Sequence, residues 1–307
     1  MRLVGVLVRR NLRAFLRDRL TVFFTFLAPV IFIFLFIIFY RNLVSTQIEE
    51  DLPNTPVSDI LGLCDSWLFA SAVLLATFTC TLGMLNAFVL DRETGRFSDY
   101  LVSPVRRWQL ALGYILSTWL VATVISTLLM LAGPLWALLL GQAVMGPVAI
   151  LRAIGAIALS ALVFATFNTL IATFITSWAA FAGFAIVMGT SIGFLGFCYV
   201  PPVSLSPLVN TVLGIMIFAQ GAALIRGQVM APAIDRIVTT VSPEHAVEAS
   251  TGLSRSLAVS LDIGGLDAGP LHLATYTLPT SLIIVVLLSW AVLLTALSTW
   301  RMKHVIH

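Results

Sequence analysis

Six apolar stretches, each about as long as a helix that crosses a bilayer, interrupt this chain, and no other feature narrows its fold as much. In hydrocarbon every backbone donor and acceptor must be satisfied within the segment or its neighbours, so such stretches are expected to be membrane-spanning helices. They run from Leu20 to Tyr40, from about Cys64 to Leu90, from Trp108 to Leu140, from Ile150 to Ile175, from Trp178 to Val200 and from Leu273 to Trp300. A break is expected in the third, at Gly133-Pro134. Composition agrees: 59% hydrophobic and 10% charged residues leave too little polar surface to cover a soluble globule of 307 residues. The expected fold class is all-α, integral membrane. Met1 to Arg19 carries six arginines and no small-residue cleavage site follows the first apolar run, so that run is expected to stay as an anchor.

A seventh apolar segment, Leu208 to Ile225, makes the topology depend on charge. The tail with Arg2, Arg9, Arg10, Arg13, Arg17 and Arg19, the loop with Arg92, Arg96, Arg106 and Arg107, and the end with Arg301 and Lys303 hold twelve of the seventeen basic residues. The loop after the first span is acidic, with Glu49, Glu50, Asp51, Asp59 and Asp65 against Arg41. By the positive-inside rule both termini are cytoplasmic in the plasma membrane, and an even number of crossings follows. Residues 208–225 are therefore expected to re-enter or to lie in the interface. The more polar Gly227 to Gly269 is expected to form an outer cap. Its helix would start at Ser242-Pro243-Glu244 and carry Ala246, Ser250, Leu253, Leu257 and Leu261 on one face.

Several chemistries are missing from the sequence. The single lysine, Lys303, follows no glycine-rich phosphate loop, so ATP hydrolysis by that route is excluded. The middles of the six spans hold no Asp, Glu, Lys, Arg or His, which argues against an ion-coupled carrier. Glu244, His245 and Glu248 read as a solvated helix face, and Cys64, Cys80 and Cys198 as buried apolar residues; no metal site is expected. Asn86, Asn168 and Gln220 either bond between helices or line a path.

Two charged segments suggest a protein partner. Between Asp91 and Arg107, acids and bases alternate around Phe97, Tyr100, Leu101 and Val105, which share one helical face suited to lipid or to a groove in another protein. At the N-terminus Val4, Val8, Leu12, Phe15 and Leu16 form one arc, and Arg2, Arg9, Arg10, Arg13 and Arg17 the adjoining one, as in an interfacial helix.

Here the chain resembles the permease subunits of type-2 ATP-binding-cassette exporters, multidrug-export-like members among them. The family has an amphipathic elbow, then R-D-P, then a first span containing proline; this sequence has Arg17-Asp18-Arg19 and Ala28-Pro29-Val30. The family's second loop reads about E-[RK]-E-x-G-T-x-x-x-L-x-x-[ST]-P with a glycine soon after. This chain offers Asp91-Arg92-Glu93-Thr94-Gly95, Leu101, Ser103-Pro104 and Gly113, with Arg96 in place of the usual threonine. The resemblance implies an elbow over residues 1–19 and a six-span domain over 20–307, with a coupling loop at 91–107 and a re-entrant outer segment at 201–272. It further implies two permease chains, homo- or heterodimeric, whose loops insert into separate ATP-binding subunits. Asp91, Glu93, Gly95, Arg96 and Leu101 would couple, and the path would lie between two copies of the first, second and fifth spans. ATP and magnesium would sit on the partner, leaving this chain no cofactor of its own; nucleic acid is not an expected partner. The implied cargo is hydrophobic or amphipathic and drug-like. A lipid-linked glycan or lipid is the alternative within the family, and a secondary carrier or a membrane scaffold the alternatives outside it.

Overall fold

The computed structural model describes residues 2–41, 45–46, 56–96, 106–199, 206–241, 271–273, 276–278 and 280–305. The elbow α1 (Arg2–Arg17) is followed by the first span, α2 (Arg19–Leu35), which continues as one π-helical stretch, Phe36–Tyr40. Then come α3 (Val57–Glu93), α4 (Arg107–Leu139), α5 (Pro147–Ala172) and α6 (Trp178–Leu195). A bent pair, α7 (Pro207–Ile215) and α8 (Ile217–Val229), leads through α9 (Ala231–Val241) to a two-stranded antiparallel ribbon, β1 (Leu271–Leu273) and β2 (Tyr276–Leu278), and to the last span, α10 (Thr280–Val305). Six of these helices are long and apolar enough to cross a membrane, and α7 and α8 meet at 86°, as in a segment that enters and returns.

The helix α3 is the axis of the bundle. Of its most apolar window 89% is buried, against 17% for each of the first and fifth spans, so α2 and α6 keep most of their surface for lipid or a partner. Phe78 of α3, Phe164 and Phe167 of α5 and Phe218 of α8 cluster with ring centroids 5.4 to 5.9 Å apart, mostly edge to face. Through Phe218 the second helix of the bent pair, α8, becomes part of the core, while α7 stays largely exposed.

Several boundaries differ from the expectation. The second span begins at Val57, because Asp59 and Asp65 are buried helix residues and not loop charges. Asp65 accepts from Arg41 Nε at 2.8 Å, Gln142 Nε2 at 2.8 Å and Trp136 Nε1 at 3.1 Å, and Asp59 pairs with Arg236 of α9 at 3.0 Å, so each buried charge is matched. The third span runs unbroken through Gly133 and Pro134. Proline removes only one backbone donor, and a Cβ at Gly133 would stand 3.2 Å from the Phe69 ring, so this glycine serves close packing against α3. The last span begins at Thr280, its expected start at Leu273 being the end of β1.

On the elbow the buried face is Val4, Leu7, Asn11 and Phe15, while Leu16 is exposed. The arc is rotated from the one expected because Gly113 of α4 leaves room for Leu7, whose Cβ would lie 3.0 Å from a Cβ at that position. Asn11 Nδ2 then reaches Ser117 Oγ at 3.2 Å. Asp18 separates the elbow from the first span as the N-cap of α2, accepting from the Thr21 hydroxyl at 2.6 Å and the Thr21 amide at 3.1 Å. The Thr21 hydroxyl, and then its amide, hold the Asp18 carboxyl below the usual carboxylate range. Cys64, Cys80 and Cys198 are buried and unbridged, as expected of small apolar residues. The cap helix expected from Ser242 lies outside the described residues.

Candidate transport groove and its charged junction

At one end of the bundle the end of α3 ties four other elements together. The Asp91 carboxylate, its side chain 5% exposed, accepts from the Arg10 guanidinium of the elbow, from the Tyr114 hydroxyl of α4 at 2.8 Å and from Arg96 Nη1 at 3.3 Å. One turn of sequence does the rest. Arg92 Nη1 donates to the carbonyls of Thr173 and Ile175, both at 2.9 Å, and so closes the last turn of α5. The Glu93 carboxylate accepts from the Trp178 amide at 3.1 Å, placing an anion at the positive end of α6, where Ser177 is the N-cap. Gly95 then adopts φ +72, which an L-residue enters only at a cost, and turns the chain away from α3. Asp91, Arg92 and Glu93 thus connect the elbow and the third, fourth and fifth spans to a single helix end.

A groove leads away from this junction. Its floor is α3 and its walls are α2 and α6. The middle section, about 730 Å³, is lined by Phe24, Ala28, Ile31, Phe32 and Leu35 on one wall and by Ala185, Ile186, Gly189 and Thr190 on the other, with Thr79, Leu82, Gly83 and Asn86 beneath. A section of about 620 Å³ continues it to Arg10, Asp91 and Arg96, sharing Thr21, Gly83 and Asn86. A third, about 320 Å³, extends it the other way to Phe36, Phe39 and Trp67, sharing Phe32, Leu35 and Tyr199. The three form one furrow along the first, second and fifth spans, mostly apolar with a few hydroxyl and amide groups. Tyr199 stands where the middle and far sections meet, its ring centroid 5.7 Å from Phe32 and 5.1 Å from Phe194.

That ring rests on Gly193, where a Cβ would come within 2.0 Å of it. Gly193→Leu is therefore expected to drive Tyr199 off α6 and to change the quenching of an environment-sensitive label placed beside Phe32. Unaltered quenching in the folded variant would mean that the ring is not held there.

The residues singled out from sequence separate into groups. Asp91, Glu93, Gly95 and Arg96 converge on the junction, and Leu101 lies outside the described residues. Among the elbow arginines Arg10 reaches Asp91, while Arg9, Arg13 and Arg17 are exposed off the buried face. Asn86 lines the groove. Asn168, fully buried, donates to Thr81 Oγ1 at 2.7 Å, and Gln220 donates to the Ile215 carbonyl at 3.0 Å across the bend between α7 and α8, so neither faces the groove.

Arg226 was missed. It is buried at the end of α8 and donates to the carbonyls of Gly196 and, at 2.7 Å, Phe197, just past the end of α6. It thereby fixes a turn in which Phe197 adopts φ 53, a strained conformation for a large side chain. The one signal in the sequence was a lone cation at the close of an apolar run, which reads equally well as a snorkelling end residue.

Comparison with curated proteins finds no match for this chain. The family model described as ABC-2 type transporter matches residues 2–228, covering the elbow, the first five spans and nearly all of the bent pair. The chain belongs to the ABC-2 type transporter family, as a multi-pass membrane permease that has no ATPase of its own and works with an ATP-binding subunit.

Proposed function

We propose that this permease exports a hydrophobic or amphipathic, drug-like compound, with the Asp91 end of the bundle and both termini in the cytoplasm. The observation that carries the reading is the continuous apolar furrow along α2, α3 and α6, which begins at the charged junction. Two chains, identical or not, with these furrows facing each other would enclose a path across the plasma membrane. The furrow has few polar groups and, along its middle section, no acidic or basic side chain among the described residues, which suits cargo that gives up little hydration.

In this reading residues 1–19 are the elbow, residues 20–307 the transmembrane domain, and residues 201–272 its outer segment. The loop 91–107 seats in an ATP-binding subunit. Gly95, Arg96 and Leu101 would meet the partner or set the loop's direction. Asp91 and Glu93, turned inward, would pass its movement to the elbow and to α6. Export of a lipid-linked glycan or lipid draws some support from the tilted pairs Phe32–Tyr199 and Phe36–Trp67 along the outer half of the furrow. These rings are not stacked in parallel and pack helix to helix, so the apolar compound is the stronger reading. The test is ATP-dependent accumulation of a hydrophobic dye in inside-out vesicles containing the chain and its ATPase. Accumulation that stops with a non-hydrolysable nucleotide supports export, and no accumulation of any apolar probe overturns the cargo class.

A further inference from the structure

We propose that a second cleft, between α5, α8 and α10 at the end of the bundle away from Asp91, is a binding site for an anionic phospholipid. The cleft encloses about 360 Å³ and shares no lining residue with the furrow. Its walls are Gly155, Ala156 and Leu159 of α5, Leu224 of α8 and Ile284 of α10. On each helix the polar lining residue lies one turn from these walls: Arg152 on α5, Gln228 on α8 and Thr280 on α10. Because α8 runs antiparallel to α5, with Phe218 on Phe164 and Gly221 beside Ser160, all three polar groups gather at the same end. The result is a polar rim over an apolar slot, the shape of a headgroup over an acyl chain.

The rim favours negative charge. Arg152 is exposed and has no hydrogen-bonding or ionic partner among the described residues. It stands in the second turn of α5, close to a helix start, where a cation gains nothing from the backbone dipole. The Thr280 hydroxyl is buried without a partner among the described residues, at the first residue of α10, where the backbone amides of the opening turn also lack helical acceptors. No carboxylate of the described residues lines the cleft. A phosphodiester would accept from Arg152, Thr280 and Gln228 together. Below them an acyl chain would run past Gly155, where a Cβ would meet nothing within 4 Å. The slot beneath the rim is what a free phosphate ion could not use.

The test is native mass spectrometry of the full chain in an uncharged detergent with equal amounts of phosphatidylglycerol and phosphatidylcholine. Phosphatidylglycerol is expected to be retained over phosphatidylcholine by about fivefold, the preference typical of one arginine at an anionic headgroup. Arg152→Gln should bring that ratio to near one. Gly155→Leu, which fills the slot without a clash, should lower retention of both lipids, and excess inorganic phosphate should displace neither. Equal retention by the unaltered protein, an unchanged ratio in Arg152→Gln, undiminished lipid in Gly155→Leu, or displacement by phosphate would each overturn the proposal.

Discussion

Gly189→Trp is expected to reduce export of an apolar dye to background while the purified chain still binds its ATPase. Gly189 lies on the α6 wall of the furrow, and a Cβ there meets no heavy atom within 4 Å, so an indole can occupy the furrow without displacing the bundle. Tryptophan is also easier to accommodate in a helix than glycine, which removes the usual reason for such a variant to misfold. The informative comparison is Gly83→Leu on the floor. There a Cβ would press to 2.8 Å of Thr25 Oγ1, and the expected outcome is separation of α2 from α3 with loss of thermal stability. Dye export by Gly189→Trp at the unaltered rate would mean that cargo does not use the furrow.

The second large effect is at Asp91. Asp91→Ala removes the carboxylate that accepts from the Tyr114 hydroxyl and that the Arg10 and Arg96 guanidinia share. Breaking a fully buried ion pair costs several kcal/mol, but these arginine side chains are 42% and 63% exposed and can turn to water. A loss of about 2 kcal/mol in stability is the expected size, most of it from the lost buried Tyr114–Asp91 hydrogen bond and the lost anchoring of the elbow. Arg10→Gln should cost less, and the double variant should cost less than the two singles summed, because both remove the same contact. Alongside the shift in thermal midpoint, stimulation of the partner ATPase should fall more in Asp91→Ala than in a variant of an exposed elbow arginine such as Arg13→Gln. Equal effects of the two would remove Asp91 from the coupling route.

The spans were readable because runs of apolar residues long enough to cross a bilayer have few other uses, and the bent pair because an even number of crossings left one run without a place. What escaped reading was where single polar groups point. Asp59 and Asp65 looked like loop charges because their partners, Arg236 and Arg41, are distant in sequence from at least one of them; only the folded chain shows the charges matched inside. Pro134 looked like a break because proline's cost in water is the familiar one, whereas a helix in hydrocarbon loses more by unwinding than by forgoing one bond. Asn86, Asn168 and Gln220 were equivalent as sequence, and only packing put the first in the furrow and the other two between helices. The junction was half legible: the alternation of acids and bases after the second span marked the place, but nothing in it revealed that Arg92 would close α5 or that Glu93 would cap α6.

The most direct test is to purify the tagged chain from its own membrane in mild detergent and assay ATPase activity in what accompanies it. Recovery of an ATP-binding subunit, with its activity uncoupled from cargo when Glu93→Ala and Gly95→Trp are combined and insertion is intact, is the expected result. Recovery of that subunit with coupling unchanged by the paired substitution would contradict transmission through the junction, and recovery of the chain with no ATPase would contradict the export reading itself.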